Sequence, residues 1–344
     1  MNPISNTIPP EGLARVAEIM ASVPGGALLF TVVLFVLVLS ILVFVHELGH
    51  YLAARQMGVK VLAFAIGFGR PLLKWNDKHG TEWRIGWLPL GGYVQLMGQT
   101  DLEATRKSKA KGHYMSKPVW RRAWIIIAGP LANLVLGFVV LWGAFMLGEQ
   151  RPQAVIGSVI SDMPAAGVLQ VGDRILSLNT TPIEAWDDML AGMNVLSQQS
   201  PLGVRVVMLE IERAGQIQKL LLAPKVIEVT DIFGQTHRAA RLGVVPSGVV
   251  FEVAHTPLSA AHRALERTWE LTSLTVRAIW KLLTGAIGTE NLTGPLGIAD
   301  LTGQSAQLGV YALLMLMAVV SINLCIVNLF PLPVLDGGHL LMLA

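Results

Sequence analysis

Two histidines and one glutamate fall within five residues near the start of the chain, in the run His46-Glu47-Leu48-Gly49-His50. Residues four apart on a helix lie on the same face, so the imidazoles of His46 and His50 would converge on one point. Glu47 lies about 100° round the helix from His46, where its carboxylate could reach a water beside that point. This pattern predicts a zinc site with two imidazole ligands and with Glu47 as general base.

A catalytic zinc ion requires a third protein ligand and one position for water. The sequence offers Asp336, just after Pro331 and Pro333. Prolines break the helical hydrogen-bond ladder, and irregular backbone at membrane depth is tolerated only where protein or a water-filled cavity satisfies it. Asp336 is therefore the predicted third ligand. The alternatives are His339 as the ligand, or Asp336 as a simple charge at the membrane boundary.

The histidine pair follows an uncharged apolar run at residues 27–45. At about 1.5 Å per residue this run extends roughly 28 Å, close to the hydrocarbon thickness of a bilayer. Two further apolar runs, at 123–147 and 308–335, are also long enough to span a membrane. Only 14% of the residues are charged, against about 25% in a soluble domain. The chain is thus predicted to be a membrane protein with three spans.

Basic residues are unevenly distributed around these apolar runs. Residues 54–122 contain 13 Lys or Arg against 4 Asp or Glu, whereas residues 1–26 contain only Arg15. By the positive-inside rule the loop after the first span is cytoplasmic, and the N-terminus and the segment 148–307 are external. The formal net charge of +3 then reports topology, and no nucleic-acid partner is expected.

These motifs together resemble the site-2 protease family of intramembrane zinc metalloproteases, over nearly the whole chain from about residue 26. The resemblance implies Zn²⁺ as cofactor, bound by His46, His50 and Asp336, with Glu47 polarising the water that attacks a peptide carbonyl. Further matching motifs are GFG at 67–69, GTEWRIGWLPLGGYV at 80–94, AGPLAN at 128–133 and NLTGPLGIA at 291–299.

The resemblance also implies a substrate class and a location. The family cuts the transmembrane segments of single-pass membrane proteins, such as anti-sigma factors or leftover signal peptides, after an earlier cut has trimmed their external part. The expected location is the bacterial cytoplasmic (inner) membrane, among membrane lipid, with the active site toward the cytoplasmic side. Two alternatives remain: a membrane-anchored zincin acting on soluble proteins, and a non-catalytic membrane scaffold with a structural metal.

Residues 80–96 are predicted to contact the substrate. A helical substrate hides its scissile carbonyls in its own hydrogen bonds, so it must bind unwound, and an exposed strand edge can pair with it. The resemblance implies a membrane-associated β-loop here, the alternative being an interfacial loop anchored by tryptophans. Asn133 is given only a supporting role, and Asn328 has a helix–helix hydrogen bond as its alternative role. The residues predicted to contact substrate are Gly91, Gly92, Tyr93, Asn328, Pro331 and Pro333.

The segment after the second span changes to short β-rich runs. Residues 161–179 resemble the part of a PDZ domain that leads from a short helix into a strand, and a helical stretch follows at 187–196. A PDZ domain binds a peptide or a protein C-terminus by strand addition. A spacer that excludes bulky substrates is the alternative role.

The predicted fold class is a membrane α-helical bundle with three spans present and a fourth missing, a membrane-associated β-loop and an external PDZ-like α+β domain. The fourth span is expected because related proteases continue with a further transmembrane helix. The predicted segments are an N-terminal tail at 1–26, a first transmembrane helix at 27–54, a cytoplasmic loop at 55–122 with the β-loop near 80–96, a second transmembrane helix at 123–147, the PDZ-like domain at 152–226, extra strands or a linker at 227–254, an amphipathic interfacial helix at 255–290 and a third transmembrane segment at 308–344.

Overall fold

The computed structural model describes residues 12–99, 112–199, 206–230, 236–288 and 294–343. The chain divides into two compact units. The first, here called the helical unit, comprises Met1–Leu147, Thr256–Arg277 and Asn291–Ala344; the second, the β-rich unit, comprises Gly148–His255 and Ala278–Glu290.

The helices and strands follow one another as a helical segment, a β-rich segment and a second helical segment. In chain order they are α1 (Leu13–Ala21), α2 (Gly26–Gln56), β1 (Val61–Asn76), β2 (Glu82–Leu96), a 3₁₀ turn (Tyr114–Ser116), α3 (Val119–Met146), β3 (Glu149–Pro152), β4 (Ile156–Val159), β5 (Arg174–Leu178), β6 (Thr181–Pro182), α4 (Trp186–Gln199), β7 (Val207–Arg213), β8 (Gln216–Leu222), β9 (Lys225–Thr230), β10 (Thr236–Arg241), β11 (Val244–Pro246), β12 (Val250–Val253), α5 (Pro257–Leu283), α6 (Pro295–Leu308), α7 (Val310–Asn328) and α8 (Asp336–Leu341).

Three helices, α2, α3 and α7, are long and apolar enough to cross a membrane. They correspond to the three apolar runs of the sequence, with α3 packed against both α2 and α7. The prediction for the third apolar run, residues 308–335, needs a correction, because its helix α7 ends at Asn328. Pro331 and Pro333 follow the helix end and do not interrupt it, since a residue before proline disfavours the helical conformation. The predicted N-terminal tail also contains a helix, α1.

Strands β1 and β2 form a folded hairpin that begins well before the predicted β-loop. Ala65 pairs with Tyr93 on one side and with Arg84 on the other, while Trp75 pairs with Trp83. Each strand is therefore bent, and the hairpin presents four short segments side by side, in the order 92–96, 61–66, 82–86 and 71–76. Within the described part of the chain, the outer segments have no further strand neighbour.

Asp77 anchors the turn of this hairpin to α2. Its carboxylate accepts hydrogen bonds from the backbone N–H groups of His79 (2.8 Å) and Thr81 (3.0 Å). The second oxygen accepts from the Tyr51 hydroxyl (3.0 Å), which belongs to α2, and from the Trp83 indole (3.2 Å). Burial alone would raise the pKa of the Asp77 carboxyl, but these four hydrogen bonds outweigh burial and hold the pKa well below its usual range.

The β-rich unit has its own apolar core beneath an antiparallel sheet of order β6-β5-β7-β8. Ile175 and Leu209 of this sheet are buried in one cluster with Ala240 and Leu242. Residues 227–254, predicted to be extra strands or a linker, thus contribute strands to this core. The last of them, β12, pairs with β3. Residues 161–173 form turns where a short helix was predicted, because Asp162 and two glycines there adopt positive φ.

A buried ion pair holds the turns of the β-rich unit to its sheet. Asp173 is 1% exposed and accepts hydrogen bonds from the Arg213 guanidinium on both carboxylate oxygens, at 2.7 and 2.6 Å. The pKa of Asp173 is lowered because these bonds and one from the Gln170 N–H outweigh the effect of burial. The bidentate geometry fixes the orientation of both side chains.

Helix α5 is amphipathic, as the sequence predicts. Its small residues Ala260 and Ala264 are buried. A row of large apolar side chains on the other side is exposed: Leu258, Leu265, Trp269, Val276 and Trp280.

We predict that Asp77→Asn lowers the Tm of the full chain in detergent, because an amide cannot accept all four hydrogen bonds. The folded-state pKa of Asp77 is lowered, so its carboxylate stabilises the fold above about pH 4 and this contribution declines below that pH as the unfolded chain takes up protons. The Tm difference between wild type and variant should therefore narrow in acid. Lys78→Gln, at an exposed neighbour, is the control, and a pH-independent difference would contradict the assignment.

Candidate metal centre

Three side chains from two distant parts of the sequence meet at one point in the helical unit. His46 and His50 lie one turn apart on α2, and Asp336 is the first residue of α8. The Nε2 atoms of the two histidines are 3.2 Å apart. Asp336 Oδ2 lies 3.1 Å from His46 Nε2 and 3.4 Å from His50 Nε2. The structure therefore brings together the predicted ligand set.

The chemistry of this group fits a zinc ion. Asp336 Oδ2 is buried and has no hydrogen-bond partner of acceptable geometry. Two imidazole nitrogens and a carboxylate oxygen are ligands that zinc prefers, and tetrahedral bonds of 2.0–2.1 Å place ligand atoms about 3.3–3.4 Å apart. His339 is exposed and does not belong to the metal-ligand group found among the described residues.

Helix α3 supports the histidine pair from behind. His50 Nδ1 donates to the backbone carbonyl of Ile125 at 2.8 Å, which leaves Nε2 to face Asp336. The helices approach closely because glycines face the contact from both sides: a Cβ added at Gly49 would collide with the Ala128 carbonyl, and one added at Gly129 would collide with the His50 imidazole. The motif glycine of α2 and the glycine of AGPLAN thus set the distance between the helices.

The connection between α7 and α8 carries Asp336 to the histidines. Its backbone makes turn hydrogen bonds, among them Leu332 N–H to the Phe330 carbonyl (2.7 Å) and Leu335 N–H to the Leu332 carbonyl (2.9 Å). Asn328, at the end of α7, is half-buried. Pro331 and Pro333 lie in this connection and are exposed. These three predicted substrate residues thus lie on the segment that holds Asp336.

The folded hairpin lies directly beside Glu47. A Cβ added at Gly92 would come within 3.1 Å of Glu47 Cγ and 2.9 Å of Val43 Cγ1. The backbone of Val94 also lies near the Glu47 carboxylate. Tyr93 points its hydroxyl to Arg84, at 3.1 Å. The outer hairpin segment 92–96 therefore passes next to the predicted general base.

Asn133, for which the sequence predicts only a supporting role, lies beside one of the two histidines. Its side-chain amide lies 3.3 Å from His46 Nδ1, and the residue is only 1% exposed. The available signal was the AGPLAN motif, in which an amide sits within an apolar helix.

Comparison with known proteins gives one family and a set of bacterial relatives. The profile of Peptidase family M50 matches residues 34–344. The Salmonella typhi Regulator of sigma E protease is 30% identical over 92% of this chain and 91% of its own length. The Caulobacter vibrioides Metalloprotease MmpA is 34% identical over 92% of this chain and 86% of its own. A Rhizobium meliloti relative named as a zinc metalloprotease is also 34% identical, over 92% and 86%.

Among solved structures, the PDZ domain of an SdrC-like protein from Listeria innocua aligns with 30% of this chain and 97% of that chain. The sequence identity is 17% and the TM-score 0.21.

Two glycine substitutions should separate metal binding from catalysis. We predict that Gly129→Ala lowers the zinc content of the purified chain at least about tenfold, because the added methyl displaces the His50 imidazole. Gly92→Ala should retain zinc and lower kcat/KM about 100-fold, because the methyl would collide with the Ala65 carbonyl and with Val43, which disturbs the packing of this segment against Glu47. Metal analysis and a proteolysis assay measure the two effects.

The matched control is Gly143→Ala, also on α3, where an added Cβ meets no atom within 4 Å. Loss of zinc from the Gly92 variant, or full zinc content in the Gly129 variant, would contradict this division of roles.

Proposed function

We propose that this chain cuts peptide bonds within the membrane. The premise is that it belongs to peptidase family M50, the site-2 protease family, and is a bacterial zinc metalloprotease. The observation that supports this proposal is the position of His46 and His50 on α2, a helix long and apolar enough to span a bilayer. The proposed substrates are single-pass membrane proteins whose external part has already been trimmed, such as anti-sigma factors or remnant signal peptides.

In the proposed mechanism His46, His50 and Asp336 hold the metal. When bound, Zn²⁺ supplies Lewis-acid chemistry that polarises water and carbonyl oxygen. The Glu47 carboxylate takes the proton of the attacking water and returns it to the amide nitrogen that leaves. The tight contact between Gly92 and the Glu47 side chain keeps that carboxylate beside the ligand group.

The hairpin supplies a way to hold an unwound substrate. Segment 92–96 pairs with 61–66 on one side and has no strand neighbour on the other within the described residues. A substrate strand added to this edge would exchange its lost helical hydrogen bonds for bonds to the hairpin backbone. Gly91, Gly92 and Tyr93 lie at this edge, and Asn328, Pro331 and Pro333 are proposed to contact the substrate from the α7–α8 connection.

The proposed orientation follows the distribution of basic residues. The loop between α2 and α3, with its excess of Lys and Arg, lies in the cytoplasm, and the N-terminus and β-rich unit are external in the inner membrane. Helix α5 packs along the proposed span α7, because Ala260 and Ala264 share a buried cluster with Ile322 and the Thr275 hydroxyl donates to Asn323 Oδ1 at 2.6 Å. Its exposed apolar row therefore suits contact with lipid along that span and not only at the outer membrane surface.

The ligand count argues against a purely structural metal. The described residues provide three ligand atoms at this point, whereas structural zinc sites use four protein ligands and catalytic ones three. A structural metal would also not require the Glu47 carboxylate, which the hairpin packs closely beside the ligands.

Two substitutions test the assigned roles. Glu47→Gln should retain zinc and lower cleavage of a membrane-embedded reporter by about 100-fold or more, because the amide cannot accept the proton. Asp336→Asn should lower zinc content as well as cleavage, since a neutral amide is a poor zinc ligand. His339→Ala, which alters the alternative ligand, should change neither. Wild-type cleavage by the Glu47 variant would reject the mechanism.

The substrate class is tested by comparing a single-pass reporter with casein, each incubated with wild type and with Glu47→Gln. Intramembrane proteolysis predicts Glu47-dependent cleavage of the reporter within its apolar segment and little cleavage of casein. Preferential cleavage of casein would instead favour a membrane-anchored zincin.

We also propose that the β-rich unit binds an extended peptide with an apolar C-terminus. A small, mostly apolar groove lies between α4 and the end of β10 with the start of β11. It is lined by Met189, Leu190, Met193, Ala240, Arg241, Leu242, Gly243 and Val244. Strand β11 pairs only with β4 among the described strands, so its other edge is open to a peptide strand.

Leu190→Glu, at the partly buried groove wall, should weaken binding of such a peptide at least about tenfold, because it places a charge in an apolar groove. Val195→Glu, at an exposed position of the same helix, is the matched control. Fluorescence anisotropy of labelled peptides with free and amidated C-termini measures the effect. Equal, negligible binding by all forms would favour a spacer that excludes bulky substrates.

A further inference from the structure

The strongest unexplained feature of the helical unit is the side chain of Asn133. Its Nδ2 atom lies 3.3 Å from His46 Nδ1, while its Oδ1 atom is buried without a hydrogen-bond partner. The residue sits within apolar α3 and is 1% exposed. An unpaired amide end in such a place costs free energy, so its orientation needs a reason.

His46 requires a hydrogen-bond acceptor at Nδ1 if its Nε2 atom is to bind a metal. An imidazole that offers Nε2 to a cation carries its proton on Nδ1, and therefore needs an acceptor there. For His50 that acceptor is the Ile125 carbonyl, which cannot donate. For His46 the group facing Nδ1 is the Asn133 amide, which can present either its oxygen or its NH₂ group.

The two amide orientations correspond to two tautomers of His46. If NH₂ faces Nδ1, the His46 proton must sit on Nε2, where it points into the ligand group and blocks a metal. If Oδ1 faces Nδ1, the proton sits on Nδ1 and Nε2 is free to bind. In the orientation of the structure Oδ1 has no hydrogen-bond partner, so turning the amide breaks no hydrogen bond on that side, and the His46 contact is the one that distinguishes the two orientations.

We propose that Asn133 is a positioning residue for the metal site: its Oδ1 accepts a hydrogen bond from His46 Nδ1–H and so selects the metal-binding tautomer. This proposal rests on the proposed function, because it assumes a metal at His46, His50 and Asp336. Helix α3 then orients both imidazoles, one through a backbone carbonyl and one through an amide oxygen.

The backbone of Asn133 also contacts a third helix. Its backbone carbonyl accepts a hydrogen bond of 2.7 Å from Ser321 Oγ on α7, and Ser321 is fully buried. This bond involves the backbone and not the amide, so helix packing and tautomer selection can be tested separately.

The experiment compares Asn133→Asp, Asn133→Leu and Ser321→Ala in the full chain, with zinc retention measured against a competing chelator. An ionised Asp can only accept a hydrogen bond, so Asn133→Asp should keep zinc affinity within a few-fold of wild type. Asn133→Leu removes the acceptor and should weaken zinc about 10–100-fold. Ser321→Ala should lower the Tm while zinc affinity stays within a few-fold of wild type.

A spectroscopic readout distinguishes tautomer selection from packing. In ¹⁵N spectra of histidine-labelled, zinc-loaded wild type, His46 should show a protonated Nδ1. An unprotonated Nδ1, or zinc loss from Asn133→Asp equal to that from Asn133→Leu, would overturn the proposal. If the Leu variant does not fold, the Asp variant and the spectrum decide.

Failure of this inference differs from failure of the proposed function. Zinc-loaded, active wild type with an unaffected Asn133→Leu variant would remove only the role of Asn133. A wild type that holds no zinc, or whose zinc is insensitive to Asp336→Asn, would remove both.

Discussion

The structure depends on one electrostatic constraint, the meeting of His46 Nε2, His50 Nε2 and Asp336 Oδ2 within 3.4 Å of one another. Three electron-pair donors this close repel unless a proton or a cation lies among them. A charged side chain at the centre of a membrane helix costs roughly 2.5–3.5 kcal/mol on insertion scales. A bound cation turns this costly arrangement into a satisfied one, and the surrounding elements can be understood as the means of building it.

Helix α3 is the main support for that arrangement. It approaches α2 closely because Gly49 and Gly129 leave room for the other helix, and it offers the Ile125 carbonyl and the Asn133 amide to the outer nitrogens of the two imidazoles. Each of the two imidazole rings therefore has one nitrogen directed to the ligand group and the other directed to α3. Fixing both nitrogens restrains ring rotation, which keeps the metal-binding geometry at little entropic cost.

Irregular backbone surrounds the site on the other sides. The α7–α8 connection satisfies part of its backbone through tight turns, and the hairpin bends so that its outer segment lies beside Glu47. Such backbone is expensive in an apolar environment unless its polar groups are paired. The outer edge of segment 92–96, which has no strand neighbour among the described residues, therefore needs other partners for its polar groups. The β-rich unit obeys different rules, because its apolar core and the Asp173–Arg213 pair resemble those of a soluble domain.

The sequence alone determined the features that depend on local spacing and composition. The four-residue interval between His46 and His50 places them on one helix face, the apolar runs identify α2 and α3, and the motifs identify the family. Only the tertiary structure decided which long-range partners meet. It brought Asp336, and not His339, beside the two histidines, joined the strands after residue 227 to the core of the β-rich unit, and placed Asn133 beside His46, 87 residues away in sequence. Local patterns are set by neighbouring residues, whereas these contacts depend on how bends and close helix approaches bring distant segments together.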